Sequence, residues 1–410
     1  MSASDVTAVI ATFNREQYLG EALDSVLGQS VPPAQVIVVN DGSTDATAAI
    51  LARYGGRIEV IDQENGGKSH ALNQAMPWVR GAHLWIFDDD DVALPHSVEQ
   101  HLAVLQVHPA VGYVYSGSAG LRHHPDGRVE HTGRRPMPDV PDDEIFPRML
   151  EQNFLQQQAM LVRTRCYREV GPFDVRLDRS QDYEMNLRLA RRFPGKALDT
   201  ETFLFREHDG RRGRPGAQFA ADQRSRRWIE FSRELLPQLR AELGLAEFLP
   251  RGLVAEKLDG SLAGPLDRPL DGPLRRRALL QRACLMARCA LWEEALADFG
   301  AALVDTMRGA PLSAVEQELC RRSLDIFIRR DLAIEGLLDD PTVARRFGRL
   351  LEASGNDDAR RIFAGALSRY ARTKLRHGTK FVRSARALAL AQRVGGVASW
   401  LPGPSGRVVS

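Results

Sequence analysis

The chain has few cysteines, no long apolar run and almost no net charge, and each scarcity excludes something. Its 410 residues contain four cysteines, Cys166, Cys284, Cys289 and Cys320. Cys284 and Cys289 have four residues between them and no histidine nearby, so no zinc-binding spacing is present. Thiols in this number are expected to be reduced and mostly buried, as in a cytoplasmic protein. No stretch approaches the roughly 20 apolar residues of a membrane span. The sequence begins Met-Ser-Ala-Ser-Asp and enters an apolar strand pattern at once, which leaves no room for a leader peptide. A net charge of +2 gives no electrostatic basis for a nucleic-acid partner. The expected location is the cytoplasm, with contact at the inner face of the membrane as the one variant.

The length suits two domains rather than one core. In the first half, short apolar runs alternate with helical patterns. Val6 to Ala11, Val36 to Val39, Ile58 to Ile61 and Leu84 to Phe87 lack polar alternation, as strands covered on both faces do. Between them, Glu16 to Gln29 places Leu19, Ala22, Leu23, Val26 and Leu27 on one stripe. A second helix ends near Tyr54, with Ser43 or Thr44 expected to cap it, and a third runs from Lys68 to about Val79. Successive strand–helix units require right-handed crossovers, so a doubly wound, mostly parallel sheet is predicted. Further strands are expected at Gly112 to Ser116 and Thr202 to Glu207, helices at Asp143 to Gln152 and Gln181 to Arg192, and a hairpin or flap over Arg122 to Pro138.

Four consecutive aspartates, Asp88 to Asp91, follow the fourth strand directly. An acid run of this kind also arises as a surface cluster compensating a helix dipole, but four acids exceed what capping needs. At the carboxyl edge of an open α/β sheet, where ligands bind, such carboxylates repel one another unless a hard cation shares them. Asp41, beside Gly42 at the end of the second strand, can accept the imide N–H of a pyrimidine base or simply cap a turn. Asn65-Gly66-Gly67-Lys68 would face a diphosphate with backbone N–H groups and one cation, though Gly-Gly before a helix is also a common turn. Asp182 at a helix start and His208 after a strand are, seen alone, a dipole partner and an exposed histidine.

Taken together and in order, these segments resemble the family-two glycosyltransferases of the GT-A fold. The resemblance is carried by Val9-Ile10-Ala11-Thr12-Phe13-Asn14-Arg15, Val39-Asn40-Asp41-Gly42-Ser43-Thr44-Asp45, Asn65-Gly66-Gly67 with Ala71 and Asn73, and Phe87-Asp88-Asp89-Asp90-Asp91. Gly171-Pro172-Phe173-Asp174 and Gln181-Asp182 look like that family's acceptor-side segment. It covers about residues 5 to 215, and four motifs in the right order make chance agreement improbable. The resemblance implies an α/β catalytic domain over 1–220, a nucleoside-diphosphate sugar donor with UDP first, an acceptor hydroxyl on a glycan, lipid-linked saccharide, natural product or protein, and inversion. It places Thr12, Asn14, Arg15, Asp41, Gly67, Lys68, Asn73, Asp88 and Asp89 on the donor, Asp90 and His208 on a Mg²⁺ or Mn²⁺ ion, and Asp182 as general base. Ala11, Asn40, Leu72 and Gln181 depart from the family's usual Pro, Asp, Arg and Glu. Leu72 in place of arginine shifts the phosphate contact toward Lys68. A nucleotidyltransferase is the enzyme rival, but Thr12-Phe13-Asn14-Arg15 has no glycine-rich loop for a triphosphate. A binding module without catalysis is the other rival; it would lack the acids that are present.

Residues 221–274 read as a long helix, Gln223 to Leu243, and a Pro/Gly-rich linker, and 275–410 as an all-α domain. Helices are predicted over Arg275 to Ala290, Trp292 to Thr306, Ala314 to Arg329, Pro341 to Ser354 and Asp357 to Tyr370. Leu291 to Leu296 and Gly355 to Ala359 look like turns of tetratricopeptide-like helix pairs, with irregular spacing. A helical bundle is the first reading; a surface for a peptide acceptor or a homodimer is the second. Between Ala366 and Gly395, Arg369, Arg372, Lys374, Arg376, Lys380, Arg383, Arg386 and Arg393 occur with no acid among them. Such a segment is a solvated terminal helix or one that lies on anionic lipid.

Overall fold

The computed structural model describes residues 4–124, 126, 128–177, 179–207, 224–257, 270–325, 330–376 and 381–395. The chain divides into two compact units, Met1–Arg224 and Ser225–Ser410.

Among its described residues the first unit has nine strands: β1 (Val6–Thr12), β2 (Gln35–Asp41), β3 (Glu59–Gln63), β4 (His83–Asp88), β5 (Val92–Ala93), β6 (Tyr113–His123), β7 (Val129–Arg134), β8 (Met160–Arg163) and β9 (Gly195–Glu207). They lie in the order β3-β2-β1-β4-β8-β6-β9-β5, with β7 paired to β6. β3, β2, β1 and β4 are parallel. Beyond β4 the sheet is mixed, because β8 runs antiparallel to both β4 and β6 while β6 and β9 are parallel. The doubly wound α/β architecture expected for a GT-A domain is present, and its parallel character resides in the first four strands.

The apolar runs explain those four. Ala8, Ile10, Val36, Val38, Trp85 and Phe87 turn to one face and join the core beneath α1 (Leu19–Leu27) and α2 (Thr47–Ala52). The opposite face is covered by α3 (Lys68–Ala75), whose Ala71, Leu72 and Ala75 are buried. Each large aliphatic or aromatic side chain sealed in this way contributes roughly 1.5–3 kcal/mol relative to exposure. Leu72 is thus a core residue, and the cation of this helix sits one turn earlier, at Lys68.

The described residues of the unit also form α4 (Ser97–Val107), α5 (Ile145–Glu151), α6 (Thr164–Val170) and α7 (Gln181–Arg192). The Arg122 to Pro138 region is a hairpin, with β6 and β7 antiparallel. The chain lays down β1, β2 and β3 in one direction, then returns to place β4 on the other side of β1. That reversal makes the ends of β1 and β4 the topological switch point, where sheets of this kind hold ligands in a crevice.

The expected cap of α2 is different. Ser43 accepts from the Asn14 backbone N–H (3.0 Å), and the Thr44 N–H donates to Asn14 Oδ1 (2.8 Å). The N-cap is Ala46, which has no side-chain cap, and Asp45 just before it accepts from the Thr47 N–H at 3.0 Å. Ser43 and Thr44 are recruited to tie the β1 loop to the β2 loop, a contact that helical pattern cannot reveal.

The second unit is helical: α8 (Arg224–Glu242), α9 (Arg251–Lys257), α10 (Gly272–Arg288), α11 (Trp292–Gly300), α12 (Ala314–Asp325), α13 (Arg330–Asp339), α14 (Pro341–Ser354), α15 (Asp357–Arg376) and α16 (Phe381–Gly395). The stretch predicted as one helix over Trp292 to Thr306 continues past α11 as a π-helical turn, Ala301–Thr306. Caps fix the boundaries that the sequence signalled. Asp340 accepts from the Thr342 N–H at 2.7 Å ahead of Pro341, and Gly355 closes α14 at φ 62°. Asn356 accepts from the Ala359 N–H at 2.9 Å to open α15. Trp292, Phe299, Phe347 and Phe363 pack as a buried aromatic cluster, with neighbouring ring centroids 5.1–5.9 Å apart. The Pro/Gly-rich linker over 258–269 lies outside the described residues. In the basic C-terminal segment, Arg383 pairs with Glu335 and Asp339, and Arg393 with Glu352. Arg386 donates to the Leu338 carbonyl. These three cations are engaged by neighbouring helices; Lys380 is outside the described residues. No helix among the described residues is long and apolar enough to cross a membrane.

Candidate active site

Strand register brings the motif residues into one row. Asp41 pairs with Gln63 across β2 and β3, Asn40 with Thr12 across β2 and β1, and Ala11 with Asp88 across β1 and β4. Four loops therefore leave the sheet at the same edge.

Asp41 is only 4% exposed, and its carboxylate takes three donors. Its carboxylate accepts from Gln63 Nε2 (2.6 Å), the Gly66 N–H (2.7 Å) and the Gly67 N–H (2.8 Å). Gly67 adopts φ 86°, which an L side chain resists, and this conformation turns its N–H inward. The two glycine N–H groups expected to face a diphosphate thus face Asp41 instead. A buried carboxylate requires donors, and the turn supplies them. Asn14, at φ 51°, is likewise a loop tie, through its contacts with Ser43 and Thr44. Asn73 has both ends of its amide on the Phe173 backbone, at 2.8 Å each. It was expected on the donor; its hydrogen-bonding capacity goes to tethering the acceptor-side segment.

The acid run is resolved into distinct environments. Ligand oxygens of Asp88, Asp90 and Asp91 lie within 4.8 Å of one another, and Asp89 is not part of that group. Lys68 Nζ donates to Asp88 Oδ1, and Gln158 Nε2 donates to Asp88 Oδ2 and, at 3.0 Å, to Asp91 Oδ2. Asp91 also accepts from the Arg206 N–H at 2.8 Å. Arg15 lies 3.5 Å from Asp89 and 3.8 Å from Asp90. Burial, with the neighbouring Asp90 charge, pushes the Asp89 carboxyl up to about 7 against the opposing pull of Arg15. Burial alone would depress the Lys68 ammonium, yet the Asp88 carboxylate, with Asp182 and Asp89, outweighs it and holds the amine above its usual range.

Asp182 opens α7 after Ser180, which is held at φ 55°. Burial raises its carboxyl above the ordinary range, and Lys68 partly offsets the rise. The base candidate and the acid cluster therefore share one lysine. Arg188 of α7 donates to Glu184 and to the carbonyls of Val170, Gly171 and Pro172, which fixes the segment that Asn73 grips from the other side. His208 lies outside the described residues.

Two residues of this network were not foreseen. Gln158 bridges Asp88 and Asp91; the only hint was the run Gln156-Gln157-Gln158. Arg206 is 1% exposed, and its guanidinium reaches the Asp90 carbonyl (2.7 Å), Glu21 (2.5 Å) and His123. A buried arginine with this many partners fixes the backbone of the acid loop. Strand alternation through Phe205-Arg206-Glu207 gives no sign of it.

The family model for glycosyl transferase family 2 matches residues 7–161. The match lies within the N-terminal unit. An uncharacterized glycosyltransferase of Rickettsia bellii (strain RML369-C) is 30% identical over 190 residues, covering 45% of this chain and 27% of the relative. The chondroitin synthase of Pasteurella multocida (strain Pm70) is 27% identical over 188 residues, covering 45% of this chain and 19% of the relative. Staphylococcus aureus TarS 1-349 in complex with UDP-GlcNAc is 15% identical, with a TM-score of 0.45 over 95% of this chain and 90% of that one. The chain spans well under two thirds of the length of its relatives, 27% of the R. bellii protein and 57% of a Rickettsia prowazekii (strain Madrid E) glycosyltransferase. The matched residues run from β1 to the start of β8, and β9 and the helical unit follow them in the sequence. Three clustered carboxylates form a hard oxygen donor set, which fits Mg²⁺ or Mn²⁺ and not a metal that prefers sulfur.

Proposed function

We propose that the family-2 unit transfers a sugar from a nucleoside-diphosphate sugar, a UDP-sugar first among them, to a hydroxyl group with inversion at the anomeric carbon. The observation that carries this reading is the cluster of Asp88, Asp90 and Asp91 at the crevice edge, joined through Lys68 to the environment of Asp182. Asp88, Asp90 and Asp91 would hold a Mg²⁺ or Mn²⁺ ion, with His208 added by family resemblance. Such an ion, when bound, supplies Lewis-acid stabilisation of a departing diphosphate.

Asp182 acts as the general base. Its raised carboxyl is a better proton acceptor than an ordinary aspartate. It takes the acceptor's hydroxyl proton as that oxygen bonds to the anomeric carbon. The bond from that carbon to the phosphate oxygen breaks, and its electron pair leaves with the nucleoside diphosphate. Lys68 stabilises the charge that develops there. Thr12, Arg15 and Asp41 line the nucleoside side. Gly67 and Asn73 shape the loops, since the Gly67 N–H is held by Asp41 and both ends of the Asn73 amide by Phe173, while the exposed Asn14 stays with the donor residues. No covalent enzyme intermediate is needed.

The relatives named as chondroitin and hyaluronan synthases make a glycan hydroxyl the first acceptor to examine. The test is turnover of a panel of UDP-, GDP- and dTDP-sugars with Mn²⁺ or Mg²⁺, with the anomeric configuration of the product read by NMR. Turnover that depends on the cation and inverts configuration supports the proposal. A panel in which no nucleotide sugar binds or turns over would sink it.

A further inference from the structure

We propose that Lys68 is the resident counter-ion of the acid cluster, holding Asp88 until a divalent cation takes that carboxylate and releases the ammonium to the donor's phosphates. The inference rests on the transferase reading and adds an order to it: cation first, then nucleotide.

Asp88 and Asp91 both have hydrogen-bond partners, but these differ in kind. Gln158, which bridges the two, is buried, and the N–H that Asp91 accepts from Arg206 is backbone. Neither partner can leave without opening the core. Lys68 is the exception. Its side chain is 29% exposed, and the ammonium ends a flexible four-carbon stem. Lys68 donates to Asp88, and Arg15 lies against Asp89 and Asp90.

An ammonium and a divalent ion on the same carboxylate repel each other strongly at contact distance. Cation binding through Asp88 therefore requires Lys68 to move. The backbone of Lys68 cannot follow, because α3 starts there and the Gly67 N–H is held by Asp41. The ammonium alone swings. The crevice between β1 and β4 is where the negative phosphates of a donor would receive it.

The proposal predicts effects of opposite sign from one substitution. Mn²⁺ alone, followed by electron paramagnetic resonance of the free ion, should bind Lys68→Met about tenfold more tightly than the wild type, the order expected when one nearby positive charge is removed. UDP, titrated calorimetrically at saturating Mn²⁺, should bind the same variant about tenfold more weakly. Lys68→Arg keeps the charge and should hold Mn²⁺ within about twofold of the wild type. Mn²⁺ affinity that is unchanged or weaker in Lys68→Met overturns the counter-ion role. Tighter Mn²⁺ with unaltered UDP affinity overturns the release toward phosphate. Asp90→Asn separates the two levels: if it binds Mn²⁺ as the wild type does, the metal reading of the cluster has failed, and not merely the role of Lys68.

Discussion

In the helical unit, Glu316 meets Arg276 through hydrogen bonds of 2.7 and 2.8 Å and also accepts from the backbone and hydroxyl of Ser313. Asp298 is gripped by two arginines, Arg240 and Arg282. Each buried acid there has an arginine of its own, and for Glu316 these partners outweigh burial and hold the carboxyl below its ordinary range. In the sheet unit, four successive aspartates face Lys68, Arg15 and the backbone of Arg206. Here the balance tips the other way, and Asp89 is driven up to about 7. Matched charges hold helices together. An excess of one sign at a crevice is an unfinished electrostatic arrangement that a cation would complete.

The largest expected effect lies on the unbalanced side. Asp182→Asn should lower turnover by about 10²–10⁴, the usual contribution of a general base, while UDP affinity in Mn²⁺ stays near wild type. A variant with normal turnover removes Asp182 from the mechanism. On the matched side, Arg276→Met should destabilise the helical unit by about 3–5 kcal/mol in denaturant unfolding, because Glu316 would be left buried and unpaired. Replacing both partners, Arg276→Met with Glu316→Leu, should recover most of that loss. UDP binding should change in neither variant, and a change would mean that the two regions are not as separate in role as the comparison holds.

Asn73→Ala is a smaller test. It removes both partners of the Phe173 backbone and should cost about 1–3 kcal/mol in stability with UDP affinity intact. Loss of UDP affinity would return Asn73 to the donor site. The smallest effect is a pH dependence. Asp89 holds its proton more tightly folded than unfolded, so its contribution favours the fold at low pH. That contribution is lost as pH rises from its ordinary 3.8 through about 7. Asp89→Asn should therefore raise the melting temperature at pH 8 more than at pH 5, measured without added metal. An equal shift at both values would contradict the raised carboxyl.

The parallel strands were legible because burial on both faces leaves uninterrupted runs such as Val36 to Val39 and Leu84 to Phe87. Helices with signalled ends, α14 above all, were equally plain. Helix α4 was not, because its buried face carries Ser97 and His101 beside Val98 and Leu105. His101 is accommodated by the Ser97 and Ala159 carbonyls at 2.7 and 3.0 Å, and burial holds its imidazole below the usual range. Strand β5 is two residues long, too short for any period. At the site, the aspartates and Lys68 were readable because their types and order are distinctive. Gln158 and Arg206 were not, since their roles depend on chain segments about 70 and 115 residues away from the acid loop. Asn73 was readable as a motif member but not as a tether, because the partner is backbone.

The most direct measurement is UDP affinity with and without Mn²⁺ in the wild type, Asp90→Asn and Asp89→Asn proteins. The account predicts tight binding that requires Mn²⁺ in the wild type, retention in Asp89→Asn, and loss of the Mn²⁺ dependence in Asp90→Asn. UDP affinity that is the same with and without Mn²⁺ in all three proteins would contradict it.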